Sequence, residues 1–483
     1  MIKQKKAYTN VLLMSFLCLW TVFSPFTISG EEVLSKRDSV PLQVVDSLSL
    51  SIEPKPVNMD TLLGTLKIPI VDSLCIISDP THSLAAFWEE LNKLRSRKDT
   101  VINIVHLGDS HIQVGYYSGR VMRLMHEAFG NAGRGWIAPY KLSKVNEPDD
   151  YFFSSAVKEW TAGRVIQRTK RTSIGPGGIG VKSLSPSINF DIIIAPRNGA
   201  GYGFNQVVLY RNEKAMPMLP TGALKDSIDS VLGNEPLVKG LSTDTFYISC
   251  LTDTLQLFST RRKQGTDSVL PASLFENVYY GANLMNGGSG VLYHSVGVNG
   301  SMFVNFTDEN FVQQLALLKP SLLIISLGTN ETFGARFRKQ EFKGQINDFL
   351  TLVKRHLPQT AIMLTTPPEC YKRTRVDGKR VYVRNANTEF AADAITEIAA
   401  QQGLACWDLF AATGGKGSNS KWYSNKLMGA DRIHFNKDGY KDQGTLLFYA
   451  LMNLYNKKFK EEISSDEDTP DELTIEYVEF DNP

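Results

Sequence analysis

Apolar positions along this chain keep a helical period over one stretch and then condense into short runs. Leu84, Phe87, Trp88, Leu91 and Leu94 recur at helical spacing and predict an amphipathic helix ending near the charged turn at residues 95–99. Residues 101–107, with Val101, Ile102, Ile104, Val105 and Leu107, have the β-branched enrichment of a strand covered on both faces. The alternation returns in the second half, where strand-like runs lie at 321–327, 361–365 and 404–407. Between them one helical pattern carries Phe342, Ile346, Phe349, Leu350 and Val353; another carries Phe390, Ile395 and Ile398 and stops at Gly403, a residue suited to close a helix. Strand, helix, strand, helix predicts an α/β fold with a parallel sheet covered on both faces.

Residues 151–285 break that rhythm. Glycine-rich turns such as Gly175-Pro176-Gly177-Gly178 separate short runs at 191–195, 206–210 and 245–249, which predicts an inserted β-sandwich. The α/β domain is then expected in two pieces, 82–150 and 286–460. Residues 31–81, rich in Ser, Asp, Pro and Val with weak periodicity, predict a linker or wrapping segment, and residues 461–483 an acidic, solvated tail.

The first thirty residues belong to neither pattern. Lys3, Lys5 and Lys6 precede an apolar run at 11–26, and small residues follow at 27–30, which predicts a secretory signal over 1–30 and export to the periplasm or cell envelope. An uncleaved anchor is the alternative, but the run is shorter than the roughly 20 residues of a spanning helix. No stable membrane insertion is expected once the signal is removed. Cys18 follows Phe16-Leu17 rather than small residues, which argues against a lipid-anchored cysteine. Cys75, Cys250, Cys370 and Cys406 remain for one or two disulfides and lack the C-x-x-C spacing of a metal site. With 483 residues, 42% of them hydrophobic, a sizeable core is within reach. The net charge of +2 gives no sign of a nucleic-acid partner.

Open parallel sheets collect their chemistry at the carboxyl ends of the strands. The first strand runs into Gly108-Asp109-Ser110-His111, the strand at 321–327 into Gly328-Thr329-Asn330-Glu331, and Asp431-Arg432-Ile433-His434 precedes the last helix. Together these supply a hydroxyl to attack, an imidazole to take its proton, a carboxylate to orient that imidazole and an amide to meet an oxyanion, the set that acyl transfer needs. Each block alone is a common turn. Their joint occurrence at the ends of predicted elements carries the reading.

These three blocks resemble those of the SGNH/GDSL hydrolase family. The resemblance implies a three-layer α/β/α, flavodoxin-like sheet, with Ser110 as nucleophile, His434 as general base and Asp431 as its orienting carboxylate. Asn330 and the backbone N–H of Ser110 would serve the oxyanion hole. The family adds a glycine N–H, for which Gly300 of Val296-Gly297-Val298-Asn299-Gly300-Ser301 is the expected residue and Gly297 the alternative. The separation of Ser110 from Gly300 is much longer than compact members need, and the β-rich insert accounts for it. A signal peptide followed by a domain split in this way resembles the peptidoglycan O-acetylesterases of Gram-negative bacteria, whose inserted module looks like a carbohydrate-binding domain. That likeness implies removal of acetyl esters from the sugars of peptidoglycan glycan strands, with no cofactor.

His111, beside the serine, and Arg134 and Trp136 of Gly133-Arg134-Gly135-Trp136 are candidate substrate contacts, with burial as the alternative for each. His106, Phe152, Phe153 and Trp160 are expected in the core, and Glu331 to bond backbone donors of its own turn. An O-acetyltransferase with the same triad, or a glycan-binding protein with an inactive hydrolase domain, are the competing functions; the intact Ser110, Asn330, Asp431 and His434 argue against the second.

Overall fold

The computed structural model describes residues 57–466 apart from 69–74, 96–99, 196–201, 234–237, 263–267 and 335. The expected export signal, most of the segment at 31–81 and most of the acidic tail lie outside the described residues.

A six-stranded sheet forms the centre of the α/β part. Its spatial order is Ile77–Ser78, Ala405–Trp407, Ala361–Thr365, Leu322–Ser326, Val101–Gly108 and Gly290–Gly297. The last five are parallel to one another, and only the two-residue strand Ile77–Ser78 runs antiparallel, pairing Ile77 with Trp407. Numbered along the chain, the parallel strands lie in the order 2-1-3-4-5, the flavodoxin-like arrangement, whose direction reverses between Val101–Gly108 and Leu322–Ser326. The strands are buried because helices Tyr116–Phe129 and Lys437–Asp466 pack together, as do Lys339–His356 and Asn387–Gln402. Gly403 adopts the left-handed conformation and closes the Asn387–Gln402 helix, as its position suggested.

The β-rich region consists of a seven-stranded and a four-stranded antiparallel sheet. Phe190, on strand Ser187–Ile194 of the smaller sheet, lies 4.9 Å from the ring of Tyr279 on strand Val278–Met285 of the larger one, so the two inner faces meet. Trp160 stacks on the same Phe190 at 5.6 Å. Gly135–Ile137 pairs with Val278–Met285, and the Trp136 N–H donates to Nδ1 of His294 on the edge strand of the parallel sheet. The β-rich sheets are thereby fastened to that edge.

Several expectations are corrected. Residues 31–81 are not wholly linker: Met59–Gly64 is a helix capped by Asn58, and Ile77–Ser78 completes the central sheet. Neither element is long enough to show a period. Residues 461–466, assigned to the tail, continue the last helix to Asp466. Phe152 and Phe390, expected on buried faces, are exposed, because each lies on the outer side of an element whose neighbours face inward. Arg134 and Trp136 are each only 1% exposed and cannot touch a polymer. Arg134 pairs with Asp150 at 2.6 Å, and the Trp136 ring meets that of Tyr210 at 5.3 Å. Cys250, Cys370 and Cys406 are free thiols, and Cys75 is buried.

Candidate active site

Three strand ends meet at one level of the sheet. Gly108 is in register with Gly297 on one side and with Ser326 on the other, so the turns that follow all open on the same edge. This edge is the topological switch point, where the chain leaves adjacent strands in opposite directions and opens a crevice. Close packing there demands glycine. A Cβ on Gly108 would lie 2.4 Å from Cγ1 of Ile112, and one on Gly297 would lie 2.2 Å from the backbone nitrogen of Gln113.

Ser110 opens the short helix Ser110–Gln113, capped by Asp109, whose Oδ1 accepts the His111 N–H at 2.9 Å. The helix start aims the Ser110 side chain out of the sheet edge. Its Oγ lies 2.9 Å from Nε2 of His434, and Nδ1 of His434 lies 2.7 Å from Oδ2 of Asp431. The other oxygen of Asp431 accepts the N–H groups of Ile433 at 2.9 Å and His434 at 3.0 Å, so the tight turn orients carboxylate and imidazole together. Burial alone would push the Asp431 carboxyl up, but these hydrogen bonds from His434 and Ile433 hold it well below the usual carboxylate range. The same bond to Asp431 raises the pKa of His434, against the lowering effect of burial. A hydroxyl, a base and a fixed anion in this sequence can generate a nucleophile at Ser110.

The oxyanion candidates surround the same hydroxyl. Among the described residues no acceptor is found for the N–H of Ser110 or of Gly300. Gly300 has φ +79° and is exposed, whereas Gly297 is buried at its strand end. The Asn330 side-chain N–H₂ donates to Oδ2 of Asp109 at 3.1 Å and to the Ser301 carbonyl at 3.0 Å. Those bonds fix the amide, and one hydrogen must be shared with or released to a substrate oxygen for Asn330 to donate there. Burial pushes the Asp109 carboxyl up to about 7. Glu331 behaves likewise, also raised to about 7 by burial. Its Oε1 accepts the Phe303 N–H at 2.9 Å, across the site, and backbone N–H groups of its own turn, at Gly328 and Glu331, also favour the carboxylate.

His111 is 6% exposed and does not reach the crevice. Its Nδ1 lies 3.0 Å from the Tyr440 hydroxyl, and its ring centre 5.4 Å from that of His434. Burial pushes the His111 pKa down to about 3, with the neighbouring His434 adding to the effect. A neutral ring therefore packs behind the base and places no second positive charge beside it. His106 is also core, bonded to the Tyr293 hydroxyl at 2.8 Å and to Ser326 Oγ at 2.7 Å.

Arg432 was missed from the sequence, where it is only a spacer between Asp431 and His434. It holds φ +54°, and its guanidinium lies over the Tyr423 ring at 4.0 Å. Its carbonyl accepts the Tyr371 N–H at 3.0 Å and the Asn419 side-chain N–H at 3.0 Å. A non-glycine residue in the left-handed region costs energy and needs such anchoring. The roles of Asp109 and Tyr440 also depend on partners distant in the chain. Among the described residues, no group of His, Cys, Asp and Glu is placed to hold a metal ion, and no helix is long and apolar enough to cross a membrane.

Residues 266–441 match the GDSL-like lipase/acylhydrolase family. The match includes Gly300, Asn330, Asp431 and His434 but not Ser110, which precedes the β-rich region. Among solved structures, one of a peptidoglycan O-acetylesterase superposes with a TM-score of 0.62 at 18% identity, covering 79% of this chain and 99% of that one. A GDSL-like lipase from Bacteroides thetaiotaomicron covers 34% of this chain and 76% of its own, at 17% identity and a TM-score of 0.23. No curated protein matches the sequence. Residues 266–441, which hold four of the five strands of the flavodoxin-like parallel sheet, are thus similar to the GDSL-like lipase/acylhydrolase family.

Proposed function

We propose that this protein is an exported serine esterase that removes O-acetyl groups from a cell-wall polysaccharide, with peptidoglycan glycan strands as substrate. The observation that carries the chemistry is the continuous chain from Ser110 Oγ through His434 to Asp431, at 2.9 Å and 2.7 Å, on the switch-point edge. Likeness of overall architecture to a peptidoglycan O-acetylesterase supports the choice of substrate. The signal-like residues 1–30 support export.

Ser110 Oγ attacks the acetyl carbonyl carbon while its proton passes to Nε2 of His434. Negative charge gathers on the carbonyl oxygen, which the N–H groups of Ser110 and Gly300 and the Asn330 amide meet. As the intermediate collapses, the bond from carbonyl carbon to sugar oxygen breaks and His434 returns its proton to that oxygen. Water then attacks the acetyl-Ser110 ester, giving a proton to His434, and acetate leaves as Ser110 recovers its hydroxyl proton. Asp431 keeps the imidazole oriented and stabilises its charged form throughout.

The test is acetate release from O-acetylated peptidoglycan by the purified protein and by Ser110→Ala. Release by the parent alone supports both nucleophile and substrate. Hydrolysis of a small aryl acetate without any release from peptidoglycan would reject the substrate and keep the esterase.

A further inference from the structure

The antiparallel ribbon Tyr371–Val376 with Lys379–Arg384 is the one two-stranded sheet among the described residues, and it stands beside the catalytic edge. Its turn, Asp377-Gly378, has φ +49° and +76°, the pair of left-handed residues that suits a two-residue hairpin. Six basic side chains and the single acid Asp377 lie between residues 371 and 384. Two of the bases are engaged locally. Arg384 bonds Glu369 at 2.6 Å and also pairs with Glu389, and Lys372 lies 5.8 Å from the Phe333 ring. Arg373, Arg375, Lys379 and Arg380 are exposed and have no acidic partner among the described residues.

The register sorts these charges. Arg375 lies directly opposite Arg380, Arg373 opposite Tyr382, and Tyr371 opposite Arg384, so all six share one face. Like charges directly opposite destabilise a ribbon, and this ribbon has no third strand to compensate. The same face meets the catalytic loop: the Arg432 guanidinium lies 5.3 Å from the Tyr371 ring and 5.9 Å from the Tyr382 ring. On the other face Lys372 reaches Phe333, which follows the oxyanion turn of Asn330. The unpaired arginines thus extend outward from the rim that holds Asp431, His434 and Asn330.

We propose that this ribbon is a docking strip for an anionic stretch of the acetylated glycan, with carboxylates held by Arg373, Arg375 and Arg380 while an ester of the same polymer lies at Ser110. The inference rests on the reading that the site cleaves sugar acetates. A neutral ester needs no such charge. Guanidinium groups match carboxylates in geometry, and an external anion between Arg375 and Arg380 would relieve their repulsion. Continuity with the catalytic loop favours the substrate itself over a separate nucleic acid.

The test compares the full protein with the triple variant Arg373→Gln, Arg375→Gln, Arg380→Gln, all exposed positions outside the catalytic machinery. On a small neutral aryl acetate, kcat/KM should stay within about twofold, which also shows that the variant folds. On O-acetylated peptidoglycan it should fall by about tenfold or more, mainly through KM, and the parent alone should lose activity as salt rises from about 0.05 to about 0.5 M. The triple Lys variant should recover part of the loss. If the parent cleaves the aryl acetate but not peptidoglycan, the substrate reading fails, and the ribbon is judged on acetylated polygalacturonate against neutral acetylated xylan. There the parent should prefer the polyanion and the Gln variant should not. Equal rates of parent and Gln variant on the anionic polymer would overturn the proposal. So would a ribbon-dependent affinity for polynucleotide with unchanged ester kinetics, which would give the strip to a nucleic acid.

Discussion

The catalytic edge and the β-rich sheets both contain charged and aromatic side chains, but they use them in opposite ways. Around the β-rich sheets two charged pairs are sealed: Arg134 with Asp150, and Arg211 with both oxygens of Asp244, are buried pairs whose bonds end on protein atoms. At the catalytic edge Ser110 and His434 are half-buried, and among the described residues the N–H groups of Ser110 and Gly300 have no protein acceptor. A buried pair with satisfied partners specifies packing, whereas unused hydrogen-bonding capacity at a crevice is available to a substrate. Gly133-Arg134-Gly135-Trp136 and Gly108-Asp109-Ser110-His111 look equally promising as text. Burial separates them.

The comparison breaks most readily at the nucleophile. Ser110→Ala should lower kcat/KM on an aryl acetate by about ten-thousandfold or more while leaving thermal unfolding unchanged; retention of a tenth of the activity would move the chemistry elsewhere. On the sealed side, Arg134→Met removes the buried cation paired with Asp150 and should cost about 3–5 kcal/mol in denaturant unfolding, with turnover per folded molecule preserved. A loss of turnover without loss of stability would instead return Arg134 to the site. Asn330→Ala should reduce kcat by about a hundredfold to a thousandfold with little change in KM, read from steady-state kinetics. The smallest effect concerns pH. His434 must be neutral to accept the Ser110 proton, and Asp431 raises its pKa, so kcat/KM should climb with pH through a midpoint above 6.5. In Asp431→Asn the raising partner is gone, and the residual activity should show that midpoint at lower pH.

Much of the central sheet could be read in advance, since the Val101–Gly108 and Leu322–Ser326 strands and the Lys339–His356 helix bury faces whose period is local. Ile77–Ser78 could not, since two residues carry no period and their strand exists only by pairing with Ala405–Trp407. The site divides similarly. Asp431 and His434 form their pair within one turn, so their spacing already places them; for Arg134, Trp136 and His111 the sequence left substrate contact and burial both open, because exposure depends on neighbours far along the chain. A net charge of +2 likewise concealed the ribbon at 371–384, where unpaired arginines are concentrated while charges elsewhere compensate.

What the sequence determined by itself was therefore what short-range geometry controls: the strand and helix alternation, the residue types at the strand ends and the Asp431–His434 turn. Only the tertiary structure decided the 2-1-3-4-5 order that carries Ser110 to Asn330 and His434. The family match stops short of Ser110, and the β-rich region separates it from its partners in sequence. Hydrogen bonds between such distant residues arise from how strands pair and which surfaces become buried, quantities that belong to the folded chain as a whole.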